Sequence, residues 1–362
     1  MKVAIVHYWL FHMRGGEKVL RALCEMYPQA DIFTHVYDPD GVDDVIRARK
    51  VTTSFISRLP AARRLYKHYL PLMPYALEQL DLTGYDLILS SEAGPAKGII
   101  PGPDARHVCY CHSPMRYIWD QYHPYRDNAG LLARAAMPLI AHKLRIWDVT
   151  SAARVDRFVA NSNHVANRIT RFWRREADVV FPPVAVQDFA PVPREEQGDY
   201  YLLAGELVRY KRPDIAVEAF SRMKRRLVVI GGGEERGSLE KSAGDSVQFL
   251  GKVPFAELKH HFARCRGLVF PGEEDFGIIP VEVMASGRPV IAYAKGGALD
   301  TIRDRETGLL FEEQSVEGLI AAVEAFEREG LDRLDPAALT AHAARYDEDA
   351  FRRGMRAVID TL

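Results

Sequence analysis

Short uninterrupted apolar runs alternate along the chain with stretches whose apolar positions recur every three or four residues, and this alternation occurs twice. A short apolar run bounded by glycine, proline or charge reads as a strand buried on both faces, and the longer periodic stretches read as covering helices. In the first half the predicted strands are VAIVHY (3–8), DIFTHV (31–36), DLILSS (86–91), HVCYC (107–111) and RFVANS (157–162). In the second half they are YLLAG (201–205), LVVIG (227–231), VQFLG (247–251), GLVFP (267–271) and PVIAY (289–293). Strand and helix alternating in this way predict two doubly wound α/β domains. FPPVAVQDFAPVPREEQG (181–198), rich in proline and closing in charge, reads as the connection. The expected division is therefore 1–182, a linker over 183–199, a second domain over 200–345, and a terminal helix over 346–362.

Length agrees, since 362 residues exceed the usual single core. The composition is that of an ordinary globular protein. No apolar run reaches membrane-spanning length, and MKVAIVHYWL lacks the features of a signal peptide. The expectation is a cytoplasmic protein. Four cysteines, Cys24, Cys109, Cys111 and Cys265, are too few and too irregular for a disulfide framework. Cys109 and Cys111, flanked by His107 and His112, lack the second ligand pair of a structural zinc site, so no metal is expected. Charge is uneven: residues 1–190 hold 24 Lys+Arg against 19 Asp+Glu, whereas the whole chain sums to −1. A basic first half suits an anionic partner there, although a solvated charged face gives the same count.

The densest chemistry lies in PGEEDFGIIPVEVMASGRPVI (271–291). A buried strand ends in a loop bearing Glu274, Gly277 relieves a tight turn, and Pro280 suits the first turn of a helix carrying Glu282. Both carboxylates would then face the crevice at the carboxyl ends of the strands, where open α/β sheets bind ligands. Lys211 stands between a strand and a helix whose one face carries Ile215, Ala219, Phe220 and Met223, which suits a point charge for phosphate. In RGGEKV (14–19), Gly15 and Gly16 open a helix after the first strand, where backbone amides can approach an anion.

The 271–291 block resembles the E-x7-E element of the family 4 retaining glycosyltransferases, which have the two-domain GT-B fold. RGGEKV, CHSPMRYIWD (111–120), VANSNHVANRI (159–169), FPPV (181–184), YKRPDIAVEAF (210–220), IGGGEE (230–235) and KGGALDTI (295–302) match the same family in order. CHSPMRYIWD is most similar to bacterial mannosyltransferases of O-antigen and exopolysaccharide assembly. The resemblance implies two Rossmann-like domains facing a central cleft, with the terminal helix crossing back to the first. It implies that Glu274 bonds hydroxyls of the donor sugar, that Glu282 bonds the ribose, and that Phe276, Gly277 and Ile278 offer backbone amides. Gly232 would floor the nucleotide, while Gly15 and Gly16 would lie under the donor phosphates. His112 would touch the transferred sugar, and Glu17, Arg116 and Asp120 would border the acceptor. The implied donor is a nucleotide sugar, GDP-mannose by preference, with no cofactor required. The implied acceptor is a saccharide or a polyprenyl-diphosphate-linked saccharide, and no nucleic acid is expected.

One departure stands out. Where the family pattern places an arginine five residues before Lys211, this chain has Glu206. Arg209 is the substitute expected for that cation, on the same face as Lys211 if the segment is extended, with Arg212 a weaker candidate. Two rival classes remain. A dinucleotide oxidoreductase lacks its G-x-G-x-x-G after the first strand, and a non-catalytic nucleotide-sugar binder would not need Lys211, Glu274, Glu282 and His112 together. A UDP-sugar enzyme of the same fold is the nearer alternative. Finally, RLPAARRLYKHYLPLMPYAL (58–77) and MPLIAHKLRIW (137–147) mix basic, aromatic and apolar positions, which suits docking on the anionic inner face of a membrane or an internal helix with snorkelling arginines.

Overall fold

A computed structural model describes residues 1–362, which divide into two compact units, Met1–Pro183 with Phe351–Leu362, and Val184–Ala350. The first is built on β1 (Val3–His7), β2 (Asp31–Thr34), β3 (Val51–Thr53), β4 (Leu87–Glu92), β5 (Arg106–Cys111), β6 (Arg157–Ala160) and β7 (Ala177–Val179). They form one sheet in the order β3-β2-β1-β4-β5-β6-β7, with every pair parallel. The central strands are buried along their length, which is why they read as unbroken apolar runs.

The second unit repeats the plan with β8 (Tyr201–Ala204), β9 (Leu227–Ile230), β10 (Val247–Gly251), β11 (Leu268–Phe270), β12 (Val290–Tyr293) and β13 (Gly308–Phe311). Their order is β10-β9-β8-β11-β12-β13, again parallel. In each sheet the winding reverses beside the unit's first strand, between β1 and β4 and between β8 and β11. At such a reversal the connections on either side leave for opposite faces, so the carboxyl ends of the two strands border a crevice.

Three strands escape the sequence reading. β3 and β7 are three-residue edges with no fully buried position, too short for an alternation to declare itself. β13 begins at the glycine of the turn-forming ETG and has only four residues. The terminal helix is Glu348–Ile359, begun where the Asp347 carboxylate accepts the Ala350 amide hydrogen at 2.6 Å. Its Phe351, Met355 and Val358 lie on one face and pack in the core of the first unit with Val3, Ile5 and Leu23. The proline-rich stretch is no free tether, because Val184 is fully buried and Phe189 stacks on Phe262 of the second unit.

Candidate functional site

In the second unit the reversal between β8 and β11 brings Lys211 and Glu274 together, with Lys211 Nζ 2.9 Å from Glu274 Oε1 and each side chain about 20% exposed. The surrounding pocket is lined by Gly205, Glu206, Pro213, Pro271 and Gly272 among others. Burial works against the Lys211 ammonium, but Glu274 first, then Tyr210 and Glu206, outweigh it and raise the lysine above its ordinary range. Gly277 caps the helix Ile278–Ala285 at φ +84°, a left-handed conformation that a β-carbon disfavours. The KGGALD segment braces the loop, since the Gly297 amide donates to the Glu274 carbonyl at 2.8 Å. Gln314 also donates its side-chain amide to the Pro271 carbonyl at 2.8 Å.

Several predicted residues take positions that refine their expected roles. The helix opens at Ile278, so Glu282 stands in its second turn rather than its first and is 6% exposed. Phe276 is buried with its ring edge against Tyr346. Gly232 lies between β9 and the following helix, and a β-carbon there would meet Lys252 Cε at 3.4 Å, a lysine that sequence reasoning overlooked. Arg209 and Lys211 do not share an extended face. Arg209–Lys211 is a single 3-10 turn, so residues two apart point about 120° from each other. Arg212 is committed to Asp214 at 2.9 Å.

In the first unit the helix Gly15–Met26 starts directly at the glycine pair. A side chain at Gly16 would lie 2.5 Å from Tyr8 Oη and 3.7 Å from His112 Nε2, so only glycine permits this approach. His112 follows β5 and is half-buried, with Nε2 at 2.8 Å from Ser91 Oγ. Ser91 Oγ also meets His7 Nδ1 at 3.0 Å, and His7 Nε2 lies 3.6 Å from Glu17 Oε1. The register of β1 against β4 sets His7 directly beside Ser91. Asn161 of the VANS motif donates to the His112 carbonyl at 3.0 Å and so fixes its backbone.

Glu17, expected at the acceptor, is turned inward instead. It is 4% exposed, and Oε2 accepts the Arg14 amide hydrogen at 3.0 Å as part of a capping box. Burial pushes its carboxyl up, but the nearby His7 ring and the backbone amides of the helix start hold it below the ordinary range. Asp120 is likewise tied, accepting from the buried Arg168 at 2.8 Å, and Arg168 also donates to Ser113 Oγ at 2.6 Å. Arg116 is half-buried in the turn that follows. Sequence reasoning passed over His7 and Ser91. Their signal was present: a histidine closing an apolar strand and serines closing DLILSS place polar groups at strand ends, where function gathers. No cluster of three or more histidine, cysteine or carboxylate side chains is gathered for a metal.

Comparison with known proteins gives two family matches in order, Glycosyltransferase Family 4 over 13–187 and Glycosyl transferases group 1 over 187–343. A D-inositol 3-phosphate glycosyltransferase of Thermobifida fusca is 30% identical over 192 residues, covering 44% of this chain and 44% of that protein. A GDP-mannose-dependent alpha-(1-6)-phosphatidylinositol monomannoside mannosyltransferase of Mycolicibacterium smegmatis is 27% identical over 216 residues, covering 49% and 56%. The chain thus spans about half the length of the curated relatives it matches. Among solved structures, Anabaena Alr3699/HepE in complex with UDP superposes with a TM-score of 0.69 at 15% identity, covering all of both chains. WaaG, a glycosyltransferase involved in lipopolysaccharide biosynthesis, superposes at 0.67 with 17% identity over 98% of each. These likenesses establish the GT-B fold.

Proposed function

The chain belongs to the family 4 glycosyltransferases, and from that premise we propose that it is a retaining hexosyltransferase that moves mannose from GDP-mannose to a saccharide or polyprenyl-diphosphate-linked saccharide. The observation that carries this reading is the Lys211–Glu274 pair at the β8/β11 reversal. Each side chain holds the other in place until a donor arrives. The ammonium then turns to the diphosphate and stabilises the charge that develops on the leaving nucleotide, while the freed carboxylate accepts hydrogens from sugar hydroxyls. Glu282 receives the ribose hydroxyls, the amides around Phe276, Gly277 and Ile278 meet the sugar and phosphates, and Gly232 floors the nucleotide. In the first unit Gly15 and Gly16 offer amides to anionic oxygen, His112 meets the transferred sugar, and Arg116 borders the acceptor.

The choice of mannose is supported by CHSPMRYIWD and by the mannosyltransferase among the relatives. A UDP-sugar donor is the second reading, supported by the UDP and UDP-glucose bound to HepE. Thermal stabilisation by GDP, UDP and ADP separates the two, because a ligand raises the melting temperature by mass action. Selective stabilisation by GDP, with turnover of GDP-mannose that persists in chelator, is expected. Preference for UDP removes the mannose assignment, and loss of turnover in chelator removes the metal-free chemistry.

For the acceptor side we propose contact with an anionic membrane surface. The helix Leu131–Ala152 exposes Leu131, Leu132, Leu139 and Ile146, the first two by 87% and 89%. Arg134 and Lys143 lie exposed among them, while the helix's one carboxylate, Asp148, is fully buried. An apolar face with cations suits an interfacial helix, and the exposed Asp127 that pairs with Arg134 at 3.8 Å lies outside the helix. No helix is long and apolar enough to cross a membrane. Leu132→Ser with Lys143→Glu should abolish co-sedimentation with anionic vesicles at low salt. Unchanged binding would place the contact elsewhere.

A further inference from the structure

We infer that Glu17, through His7 and Ser91, fixes the tautomer of His112, so that His112 carries its proton on Nε2 and offers Nδ1 as a hydrogen-bond acceptor. The role of that acceptor toward a sugar hydroxyl rests on the function proposed above. The tautomer itself does not.

Hydrogen-bond direction is passed along a chain of buried side chains. Glu17, His7 and Ser91 are all 5% exposed or less, so water cannot mend a wrongly directed bond. Glu17 anchors one end. Its Oε2 already accepts the Arg14 amide hydrogen, and its Oε1 faces His7 Nε2 at 3.6 Å, where a carboxylate can only accept. A bare Nε2 lone pair against that oxygen would be repulsive, so a neutral His7 places its hydrogen on Nε2. Its Nδ1 is then an acceptor, and the only hydrogen at hand at 3.0 Å is that of the Ser91 hydroxyl. A hydroxyl has one hydrogen to give. Having donated to His7, Ser91 Oγ can only accept at its other contact, and the group 2.8 Å away is His112 Nε2. That nitrogen must therefore bear hydrogen, and in the neutral ring Nδ1 is then the acceptor.

The consequence is selective. A ring with an Nδ1 lone pair accepts a hydrogen from a hydroxyl and repels a phosphate oxygen, so His112 recognises the sugar rather than the diphosphate. A doubly protonated His7 would reverse both bonds and leave His112 with its proton on Nδ1, so the alternative is visible in the same observable. The geometry makes Glu17, His7 and Ser91 positioning residues acting through His112.

The test is nitrogen-15 NMR of histidine-labelled full-length protein at about pH 8, where free imidazole is neutral, without any donor present. The wild type should show His112 as the Nε2–H tautomer. Glu17→Gln retains a side chain able to cap the helix but removes the charge, and should move His112 toward a mixture with Nδ1–H. Ser91→Ala, which cuts the chain, should lower kcat at least about tenfold with nucleotide affinity unchanged, the pattern of a lost interaction at the reacting sugar. An Nδ1–H ring in the wild type overturns the inference, whether or not either variant folds. So does an unaltered tautomer in folded Glu17→Gln. Because the spectrum is read without a sugar donor, failure of the glycosyltransfer reading leaves the tautomer result intact.

Discussion

The two reversal points are the same in topology and opposite in chemistry. At β1/β4 the polar groups are sealed: His7 and Ser91 are fully buried, and their partners are other protein groups. At β8/β11 the polar groups are poised, with Lys211 and Glu274 each about one-fifth exposed and paired with each other. A sealed chain fixes orientation in advance, whereas an exposed pair exchanges partners when substrate binds. The difference extends behind the sites. The first unit buries Lys97 between Glu92 and Asp148 with no exposure at all, and Asp148 also accepts from Trp119 and Trp173 at 2.8 and 2.7 Å. Behind its site the second unit packs an apolar core of Leu203, Val229, Val269 and Ile291.

The largest effect expected from this contrast is Lys97→Met. It leaves two carboxylates facing each other without a cation in a dry interior, a loss of about 3–5 kcal/mol. Hydrogen exchange should show the protection loss in the strands of the first unit, and a melting temperature equal to wild type would refute it.

Acid should come next and act on the same unit. Burial depresses His35 and His107 to about 4, so both rings stay neutral in the folded protein while the unfolded chain takes up protons below about pH 6.5. Their contribution is complete above that pH and is lost as pH falls toward 4, about 2 kcal/mol for each ring by pH 5. Urea midpoints at pH 7 and pH 5 should differ, and the double variant His35→Gln, His107→Gln should flatten the difference. Equal midpoints in the wild type would contradict it.

In the second unit, Lys211→Ala and Glu274→Ala should each lower turnover about 100-fold, the scale for losing an electrostatic partner of the transition state. Melting temperatures should fall less than in Lys97→Met, because this pair keeps some access to solvent and Lys97 has none. A large melting shift with modest kinetic loss would make the pair structural. The smallest effect expected is that of Glu206→Arg, which replaces an exposed carboxylate near Lys211 with a cation and should tighten nucleotide binding up to about tenfold. Arg209→Ala should weaken binding if Arg209 supplies the second cation despite the turn. Wild-type affinity there would leave Lys252, near Gly232, as the alternative.

Much of this could be read beforehand because it is local. Apolar run length marked ten of the thirteen strands, and Gly277 marked a turn that only a left-handed residue closes. What escaped depended on partners distant in sequence. Glu17 looked like a polar residue offered to a ligand, yet it caps its own helix and faces His7. Asp120 looked available but answers Arg168, 48 residues away. Proline and charge marked 181–198 as the connection, but no local pattern announces that Phe189 will stack on Phe262.

By itself, then, the sequence determined two alternating α/β halves and put Lys211, Glu274 and His112 in the loops after strands, with Glu282 on the helix that follows Glu274, because burial on both faces of a parallel sheet and glycine at its turns are short-range demands. The tertiary structure alone decided which polar groups meet. Strand order sets His7 beside Ser91, 84 residues apart, and the β8/β11 reversal closes Lys211 on Glu274. Hydrogen bonds and ion pairs act over a few ångströms, so their partners are settled by which strands become neighbours.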